Sequence, residues 1–262
     1  MAVFYNNLGN VYIRNNQYDN GLKYFQKSLE IDPDNGDTNY NAGIILLRMG
    51  NIKEALPYFK QALHFIPDHT DSLSSLGLIY MRQGSFSEAV QLFKKALSID
   101  PSAFDARMNL GVVLINQNKY DEAMEQFLEI LRFYPETARA YINIGLIFRK
   151  KGEIKKAVEN YQKALEIEPG MPEIYYNLGN ISFSQEYFKD AVNYYLKTLQ
   201  IKPDFMQAHH NLGLSLVRLG QADKAAHHFR EALRIQPNFL PARNQLNAIL
   251  KKESPDMGNV DK

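Results

Sequence analysis

The sequence predicts an all-α protein, a solenoid of helix-turn-helix repeats that ends in a capping helix. Glycines recur every 34 residues, at Gly9, Gly43, Gly77, Gly111, Gly145, Gly179 and Gly213. Prolines recur at the same spacing, at Pro33, Pro67, Pro101, Pro135, Pro169, Pro203 and Pro237. A period of this length indicates units that cannot bury their apolar faces alone and therefore stack on one another.

Numbering each unit 1 to 34 from Ala2 gives seven repeats without insertions. Their predicted limits are 2–35, 36–69, 70–103, 104–137, 138–171, 172–205 and 206–239. Positions are given below in this frame, so that position 8 is the recurring glycine and position 32 the recurring proline.

Each repeat is predicted to be a helical hairpin. Small residues at positions 8 and 20 let two helices approach closely, and an aromatic residue at position 24 fills the space beside them. Position 24 holds Phe25, Phe59, Phe93, Phe127, Tyr161, Tyr195 and Phe229. The proline at position 32 ends the second helix. Asp19, Ser87, Asp121 and Asp223 at position 18 are expected to cap its start.

The turn of each hairpin is predicted near position 15. Most repeats place there a residue that tolerates the left-handed conformation ending a helix, namely Asn16, Gly50, Gly84, Asn118, Gly152 and Gly220. Glu186 is the exception. We expect the turn of the sixth repeat to be strained, or its first helix to be longer.

The two ends of the array differ. Residues 240–252 are predicted to form a capping helix with Leu246 and Leu250 on one face, since a solenoid needs a polar-faced end. Residues 253–262 are expected to be disordered. At the other end the first repeat begins directly after Met1 without a cap. We therefore expect the chain to be a fragment of a longer protein.

The pattern resembles the tetratricopeptide repeat family. Its motif matches Leu8-Gly9, Tyr12, Gly21, Phe25 and Pro33 in the first repeat, and Leu76-Gly77, Tyr80, Ala89, Phe93 and Pro101 in the third. The resemblance implies a right-handed superhelix with a concave groove. One departure is position 4, usually a large aromatic residue but here Asn39 in the second repeat and Arg107 in the fourth. We expect looser packing there.

The first helix of each repeat has a face that is not needed for packing against the neighbouring helices. Positions 2, 5, 6, 9, 12 and 13 share an arc of roughly 120°, and the resemblance places this arc in the groove. We name it the candidate surface. Position 6 holds Asn7, Asn41, Asn109, Asn143, Asn177 and Asn211, with Ser75 as the break.

A row of asparagine needs an explanation, because asparagine is a mediocre helix former. Its carboxamide has one acceptor and two donors, which suits it to bind the main chain of an extended peptide. The row is similar to the asparagine ladder in the repeat domain of O-GlcNAc transferase. The alternatives are hydrogen bonds between neighbouring repeats, or a relic of repeat duplication.

Position 9 adds an apolar strip to the candidate surface. It holds Ile44, Leu78, Val112, Leu146 and Leu214, and the other two repeats place Asn10 and Asn180 there. Apolar residues in a row on an open face indicate an interaction site. The alternative is partial burial between adjacent first helices. Both interpretations can hold together.

Charges mark the two ends of the same arc. Position 13 is basic in Arg14, Arg48, Arg82, Lys150 and Arg218, and position 2 is acidic in Asp37, Asp71, Asp105 and Glu173. Acids near a helix start and bases near its end complement the macrodipole, which is the favoured interpretation. The same basic residues could also attract an acidic peptide.

Two kinds of site are argued against. A clamp for a chaperone tail matches at Asn10 and Asn41, but Asn6, Asp71 and Ser75 stand where the family places cations. The pairs His209-His210 and His227-His228 do not indicate a metal site, because adjacent helical residues point about 100° apart and the chain has no cysteine. We expect no metal and no cofactor.

We therefore predict a non-enzymatic scaffold that binds a protein or an extended peptide. The alternative is a substrate-recruitment domain of a larger enzyme such as a glycosyltransferase. A net charge of +1 argues against a nucleic-acid partner, and no apolar run is long enough for membrane insertion. A monomer is expected. The lack of a signal-peptide pattern favours the cytoplasm.

Overall fold

The computed structural model describes the backbone of residues 1–253 and the side chains through residue 251. Within this range the chain folds into fifteen α-helices and no strand, which confirms the predicted all-α class. None of these helices has the length and apolar character needed to cross a membrane. Residues 254–262, most of the predicted disordered tail, lie outside the described residues.

Seven helices begin at the first position of a repeat. They are Ala2–Arg14 (α1), Gly36–Arg48 (α3), Thr70–Arg82 (α5), Phe104–Asn116 (α7), Ala138–Lys150 (α9), Pro172–Ser184 (α11) and Met206–Arg218 (α13). We call these the first helices. Each packs against the helix that follows it.

The second helices complete the hairpins. They are Tyr18–Ile31 (α2), Ile52–Phe65 (α4), Phe86–Ile99 (α6), Tyr120–Phe133 (α8), Ile154–Ile167 (α10), Phe188–Ile201 (α12) and Ala222–Ile235 (α14). The last helix is Leu240–Glu253 (α15), which packs on α14. The division of the sequence into repeats at the limits given above stays a prediction.

The chain separates into two compact units, one of residues 1–135 and one that starts at Glu136. In unit 1, α2 packs against α3, α4 against α5 and α6 against α7. In unit 2, α10 packs against α11, α12 against α13 and α14 against α15. Each unit is thus a stack of hairpins with its own first helices.

The aromatic residue at position 24 is the centre of each hairpin, since all seven of these rings are fully buried. A Cβ atom added to Gly9 would lie 2.6 Å from Cε1 of Phe25, and one added to Gly179 would lie 2.6 Å from Cε1 of Tyr195. The recurring glycine is therefore needed because the ring occupies the place of its side chain.

The predicted turn conformation is confirmed in every hairpin. Position 15 has a positive φ throughout, from 57° at Asn16 to 83° at Gly50. Glu186 has a φ of 63°, which is positive like that of the asparagines and glycines at this position. Helix α11 ends at Ser184, at the same repeat position as the other first helices. The exceptional residue thus leaves the helix length unchanged and itself adopts the strained conformation.

One expectation about the helix ends was wrong. Second helices begin at position 17, so Asp19 lies inside the first turn of α2, and the preceding Gln17 makes no side-chain cap. In α15 the buried side chains are Ala242 and Ile249, which were not predicted. Leu246 packs beside them, whereas Leu250 is 40% exposed.

Polar residues at position 4 make a specific hydrogen bond. Asn39 donates from Nδ2 to the carbonyl of Pro33 at 3.2 Å, and Arg107 donates to that of Pro101 at 2.6 Å. The proline carbonyl at the end of the preceding hairpin thereby gains a donor. These polar residues take a bonding role where the family usually places an aromatic ring.

Candidate interaction surface

In unit 1 the residues of the candidate surface meet at two open cavities. The cavity between α1 and α3 has a volume of about 480 Å3. It is lined by Asn7, Asn10, Val11, Ile13, Arg14, Asn41, Ile44 and Arg48. The structure thus brings together carboxamides, apolar side chains and guanidinium groups from two neighbouring repeats.

The second cavity lies along α3, α5 and α7 and has a volume of about 440 Å3. It is lined by Tyr40, Ile44, Leu47, Asp71, Ser74, Ser75, Leu78, Arg82, Asp105 and Asn109. Ile44 lines both cavities. The candidate surface of unit 1 is therefore continuous along its four first helices.

Most carboxamides of this surface have free hydrogen-bonding capacity. Nδ2 of Asn41 donates to Oδ1 of Asn6 at 3.4 Å, a long hydrogen bond between α3 and α1. Asn7, Asn10 and Asn109 make no side-chain hydrogen bond to any residue that the structure describes. Their amides can bond to a ligand or to water.

The asparagines of unit 2 are mostly engaged. Asn211 donates from Nδ2 to Oδ1 of Asn180 at 2.9 Å and to the hydroxyl of Tyr176 at 3.2 Å. Asn180 also accepts a hydrogen bond of 2.9 Å from the hydroxyl of Tyr195. Asn143 donates to the carbonyl of Arg139, one turn earlier in α9, at 2.9 Å. For Asn177 the described part of the chain offers no side-chain partner.

The apolar strip is half-buried rather than open. Ile44 packs against the core of unit 1, and Leu214 packs against that of unit 2. Leu78, Val112 and Leu146 are likewise half-buried. Partial burial thus accounts for part of the strip, and only Ile44 and Leu78 line the cavities described above.

The basic residues at position 13 are exposed in both units. Arg14, Arg48 and Arg82 line the cavities of unit 1. In unit 2, Lys150 is exposed on α9, whereas the guanidinium of Arg218 lies 5.8 Å from the centre of the Phe188 ring. This cation–π contact gives Arg218 a partner within its own unit.

Tyr40 lines the second cavity but was not among the predicted residues of the candidate surface. Burial raises the pKa of its hydroxyl to about 12, and the nearby carboxylates of Asp71 and Asp105 add to the shift. Arg48 acts in the opposite direction. The signal that could have identified Tyr40 is an aromatic residue at position 5, inside the arc of the candidate surface.

The side chain of His209 is buried and that of His228 is half-buried, and the two bond to each other. Nε2 of His209 lies 2.9 Å from the carbonyl of Pro203, and its Nδ1 lies 3.1 Å from Nδ1 of His228. Since a carbonyl only accepts, His209 donates from Nε2 and neutral His228 donates from Nδ1. No group of three or more acidic or histidine side chains in the described residues is placed to hold a metal ion.

Family models match almost the whole chain. Four described as tetratricopeptide repeat match residues 1–67, 40–104, 80–142, and 172–205 with 206–239. A fifth, described as TPR repeat, matches residues 145–185. No curated protein sequence matches the chain significantly.

Solved structures share the fold at low sequence identity. A tetratricopeptide repeat protein from Parabacteroides merdae is 16% identical with a TM-score of 0.81, over 95% of this chain and 98% of that one. PilF of Pseudomonas aeruginosa is 22% identical with a TM-score of 0.65, over 84% and 97%. A chain of the APC/C hetero-tetramer Cut9–Hcn1 is 20% identical with a TM-score of 0.72, over 94% of this chain and 49% of that one.

The helical hairpins, the buried aromatic residue beside a glycine in each of them, and the matched family models agree with one another. The chain therefore belongs to the tetratricopeptide repeat family.

Proposed function

We propose that the chain is a non-enzymatic scaffold that binds an extended peptide or protein segment along its candidate surface. Tetratricopeptide repeats generally serve protein–protein interaction. One structural neighbour is part of an assembly of two different proteins, Cut9 and Hcn1. The net charge of +1 supports a protein partner rather than a nucleic acid.

The observation that carries the proposal is the continuous surface of unit 1. Its two cavities join at Ile44 and run along four first helices. The carboxamides of Asn7 and Asn109 lie at its two ends without a partner among the described residues, and Asn41 lies between them. An extended main chain presents the donors and acceptors that such amides need.

Unit 2 contributes less to the proposed binding. Asn211 is engaged with Asn180 and Tyr176, and Asn143 is bonded to its own helix. Asn177 is the member of this unit whose carboxamide has no described partner. We place the main contact with the peptide in unit 1. The alternative, a recruitment domain of a larger enzyme, would use the same surface.

The test uses a peptide selected for binding from a random library and then a variant in which Asn7, Asn41 and Asn109 are all changed to Ala. The matched control changes three exposed asparagines elsewhere, Asn193, Asn244 and Asn247, to Ala. At about 0.5 to 1.5 kcal/mol for each lost hydrogen bond, the surface variant should bind at least about tenfold more weakly. The control should bind like the wild type.

A second arm tests recognition of the main chain directly. N-methylation of alternate peptide amides removes N–H groups that would donate hydrogen bonds to the asparagine side-chain oxygens. It leaves the peptide side chains unchanged. The methylated peptide should lose affinity for the wild type but little for the surface variant. Unchanged affinity of a stably folded surface variant would refute the proposed function.

A further inference from the structure

In unit 1, arginine occurs in the last turn more often in first helices than in second helices. Three of its first helices carry an arginine in the last turn, namely Arg14 in α1, Arg48 in α3 and Arg82 in α5. Among its second helices, α2 and α6 have no basic residue there, α4 has His64 and α8 has Arg132. Arginine thus concentrates on the helices that form the candidate surface.

The helix macrodipole does not explain this distribution. Its stabilisation of a cation in the last turn applies equally to first and second helices. The arginines in the last turns of second helices have partners on their own helices, since Arg132 in unit 1 lies 3.6 Å from Glu129 and Arg234 in unit 2 lies 2.9 Å from Glu231. The arginines of the first helices differ from these in having no acidic partner on their own helices.

Arg14, Arg48 and Arg82 form no ion pair with any residue in the described part of the chain. All three are exposed, and all three line the two cavities. We call them the arginine edge. Their guanidinium groups are free to bind a carboxylate through two parallel hydrogen bonds.

The opposite edge of the same surface is acidic. Asp71 and Asp105 line the second cavity. They occupy position 2 of their repeats, eleven residues before position 13, where the arginines of the other edge lie. At 1.5 Å per residue this separates the edges by about 16 Å. An extended segment lying between them points alternate side chains to opposite edges.

We propose that the arginine edge binds acidic side chains of an extended peptide, so that the partner carries aspartate or glutamate at alternate positions. This inference rests on the function proposed above. Side chains on one edge of an extended peptide recur about every 7 Å. The three arginines lie on three successive first helices of unit 1, and their long, flexible side chains can adjust to this spacing.

Unit 2 has no equivalent edge. Its position 13 holds Lys150, Ser184 and Arg218, and the arginine contacts the Phe188 ring. The selectivity for acidic peptides therefore belongs to unit 1.

The experiment uses the full chain and three synthetic peptides of about 12 residues, long enough to cross four helices. They differ only at alternate positions, which carry Gln, Glu or Lys. The Glu peptide should bind at least about tenfold more tightly than the Gln peptide at low salt, and this advantage should shrink between about 0.05 and about 0.5 M salt. The Lys peptide should bind most weakly.

Charge reversal then locates the effect. The variant Arg14→Glu/Arg48→Glu/Arg82→Glu should prefer the Lys peptide over the Glu peptide. The control Arg132→Glu/Arg230→Glu/Arg234→Glu makes the same change in net charge on second helices. The control should still prefer the Glu peptide, as the wild type does. If both variants instead prefer the Lys peptide to the same extent, the net charge of the protein explains the preference and the arginine edge is refuted. Circular dichroism checks that both variants are folded, and Arg→Gln at the three edge positions gives a milder test of the same loss.

The outcomes separate the two proposals. If the Gln and Glu peptides bind the wild type equally, and both are lost on changing Asn7, Asn41 and Asn109 to Ala, the peptide surface stands and the arginine edge is refuted. If the library selection yields no peptide whose binding depends on Asn7, Asn41 and Asn109, both proposals are refuted.

Discussion

Asn10 in unit 1 and Asn180 in unit 2 occupy the same repeat position but have different surroundings. Asn10 lines an open cavity and has no side-chain hydrogen bond to the described residues. Asn180 accepts from both Tyr195 and Asn211, at 2.9 Å each. The same residue type at the same position can therefore offer its amide to a ligand in one unit and stabilise the fold in the other.

The cause of this difference is one hydroxyl group at position 24. Phe25 needs no polar partner, so nothing in its hairpin engages Asn10. Tyr195 is buried, and a buried hydroxyl without a partner is costly. Asn180 provides the acceptor. Burial raises the pKa of Tyr195 above its usual value, so this hydroxyl stays protonated and donates.

Tyr161 is the other tyrosine at position 24, and its hydroxyl has different surroundings from that of Tyr195. Burial raises the pKa of its hydroxyl to about 12 and nearby Arg149 acts in the opposite direction, but no described residue makes a well-aligned hydrogen bond to the oxygen. Position 9 of its repeat is Leu146, which cannot accept a hydrogen bond. A tyrosine at position 24 is thus satisfied when an asparagine stands at position 9 of the same hairpin.

The largest effect is expected from changing the glycine beside the ring. Gly179→Leu should destabilise the protein by about 3 kcal/mol or more, because the new side chain occupies the place of the Tyr195 ring and breaks its bond to Asn180. Gly9→Leu should cost less, since the Phe25 ring has no hydroxyl to hold it. Urea denaturation measures both, with Gly170→Leu as control because nothing lies within 4 Å of a Cβ there. Equal losses at Gly9 and Gly179 would show that the hydroxyl does not fix the ring.

The next effect separates the two asparagines. Asn180→Ala should cost about 1 to 3 kcal/mol, because it leaves the Tyr195 hydroxyl buried and unpaired. Asn10→Ala should be neutral or slightly stabilising, since alanine is the better helix former. The free energy of unfolding in urea gives both values. The double variant Asn180→Ala/Tyr195→Phe should recover part of the loss, and a failure to recover it would contradict the role given to the hydroxyl.

A smaller effect on stability is expected from the pair of residues at positions 4 and 23, which differ between the two units. In unit 1, Arg107 donates to Pro101 and lies 3.3 Å from Gln126. In unit 2, His209 and His228 stand at the corresponding positions. Burial, with nearby His209 and His227, lowers the pKa of His228 to about 4, and burial also lowers that of His209.

The sign of the pH dependence follows from these shifts. A folded pKa below the unfolded value of about 6.5 means that the neutral form stabilises the fold. This stability is complete above about pH 6.5 and is lost as the pH falls towards 4. Because His228 is partly exposed, we expect a loss on the order of 1 kcal/mol.

The matched variant His209→Arg/His228→Gln installs the pair of unit 1. Its melting temperature should fall less than that of the wild type between about pH 7 and pH 4. Carboxylates titrate in both proteins, so the difference between them isolates the histidine pair. Parallel curves would mean that the pair does not couple to folding.

Much of the fold was predictable because it depends on local sequence and period. The glycine at position 8, the aromatic residue at position 24 and the turn at position 15 each follow from the conformation or space that one residue needs. The helix caps were not predictable in this way. Position 16 precedes the second helix in every hairpin, and Gln17 or Lys119 makes no capping hydrogen bond there.

The sequence was sufficient to predict which residues lie on the candidate surface, but not which of them make hydrogen bonds within the protein. The helical period brought Asn7, Asn41 and Ile44 to one cavity. The engagement of Asn180 depends on a residue fifteen positions away in another helix, and no single-position pattern contains it. The pairing of asparagine at position 9 with tyrosine at position 24, present together in the sixth repeat, is the signal that could have revealed it.

The smallest effect concerns the turns, where unit 1 has only asparagine and glycine at position 15 and unit 2 includes Glu186. The backbone bonds of this turn match those of the others. Glu186 donates to Phe183 at 3.1 Å as Gly50 does to Leu47, and Phe188 donates to Glu186 at 2.9 Å as Ile52 does to Gly50 at 3.0 Å. The turn geometry is therefore fixed by the repeat, and glutamate adopts a φ of 63° within it.

Glu186→Gly should stabilise the protein by about 0.5 to 1 kcal/mol. Relief of the left-handed strain contributes roughly 1 to 2 kcal/mol, and the greater freedom of glycine in the unfolded chain offsets part of that gain. Gly152→Glu, the reverse change in a turn of the same unit, should destabilise by a similar amount. Melting temperature reports both. A fall on Glu186→Gly, with Gly152→Glu still destabilising, would mean that the Glu186 side chain stabilises its turn by more than the backbone strain costs.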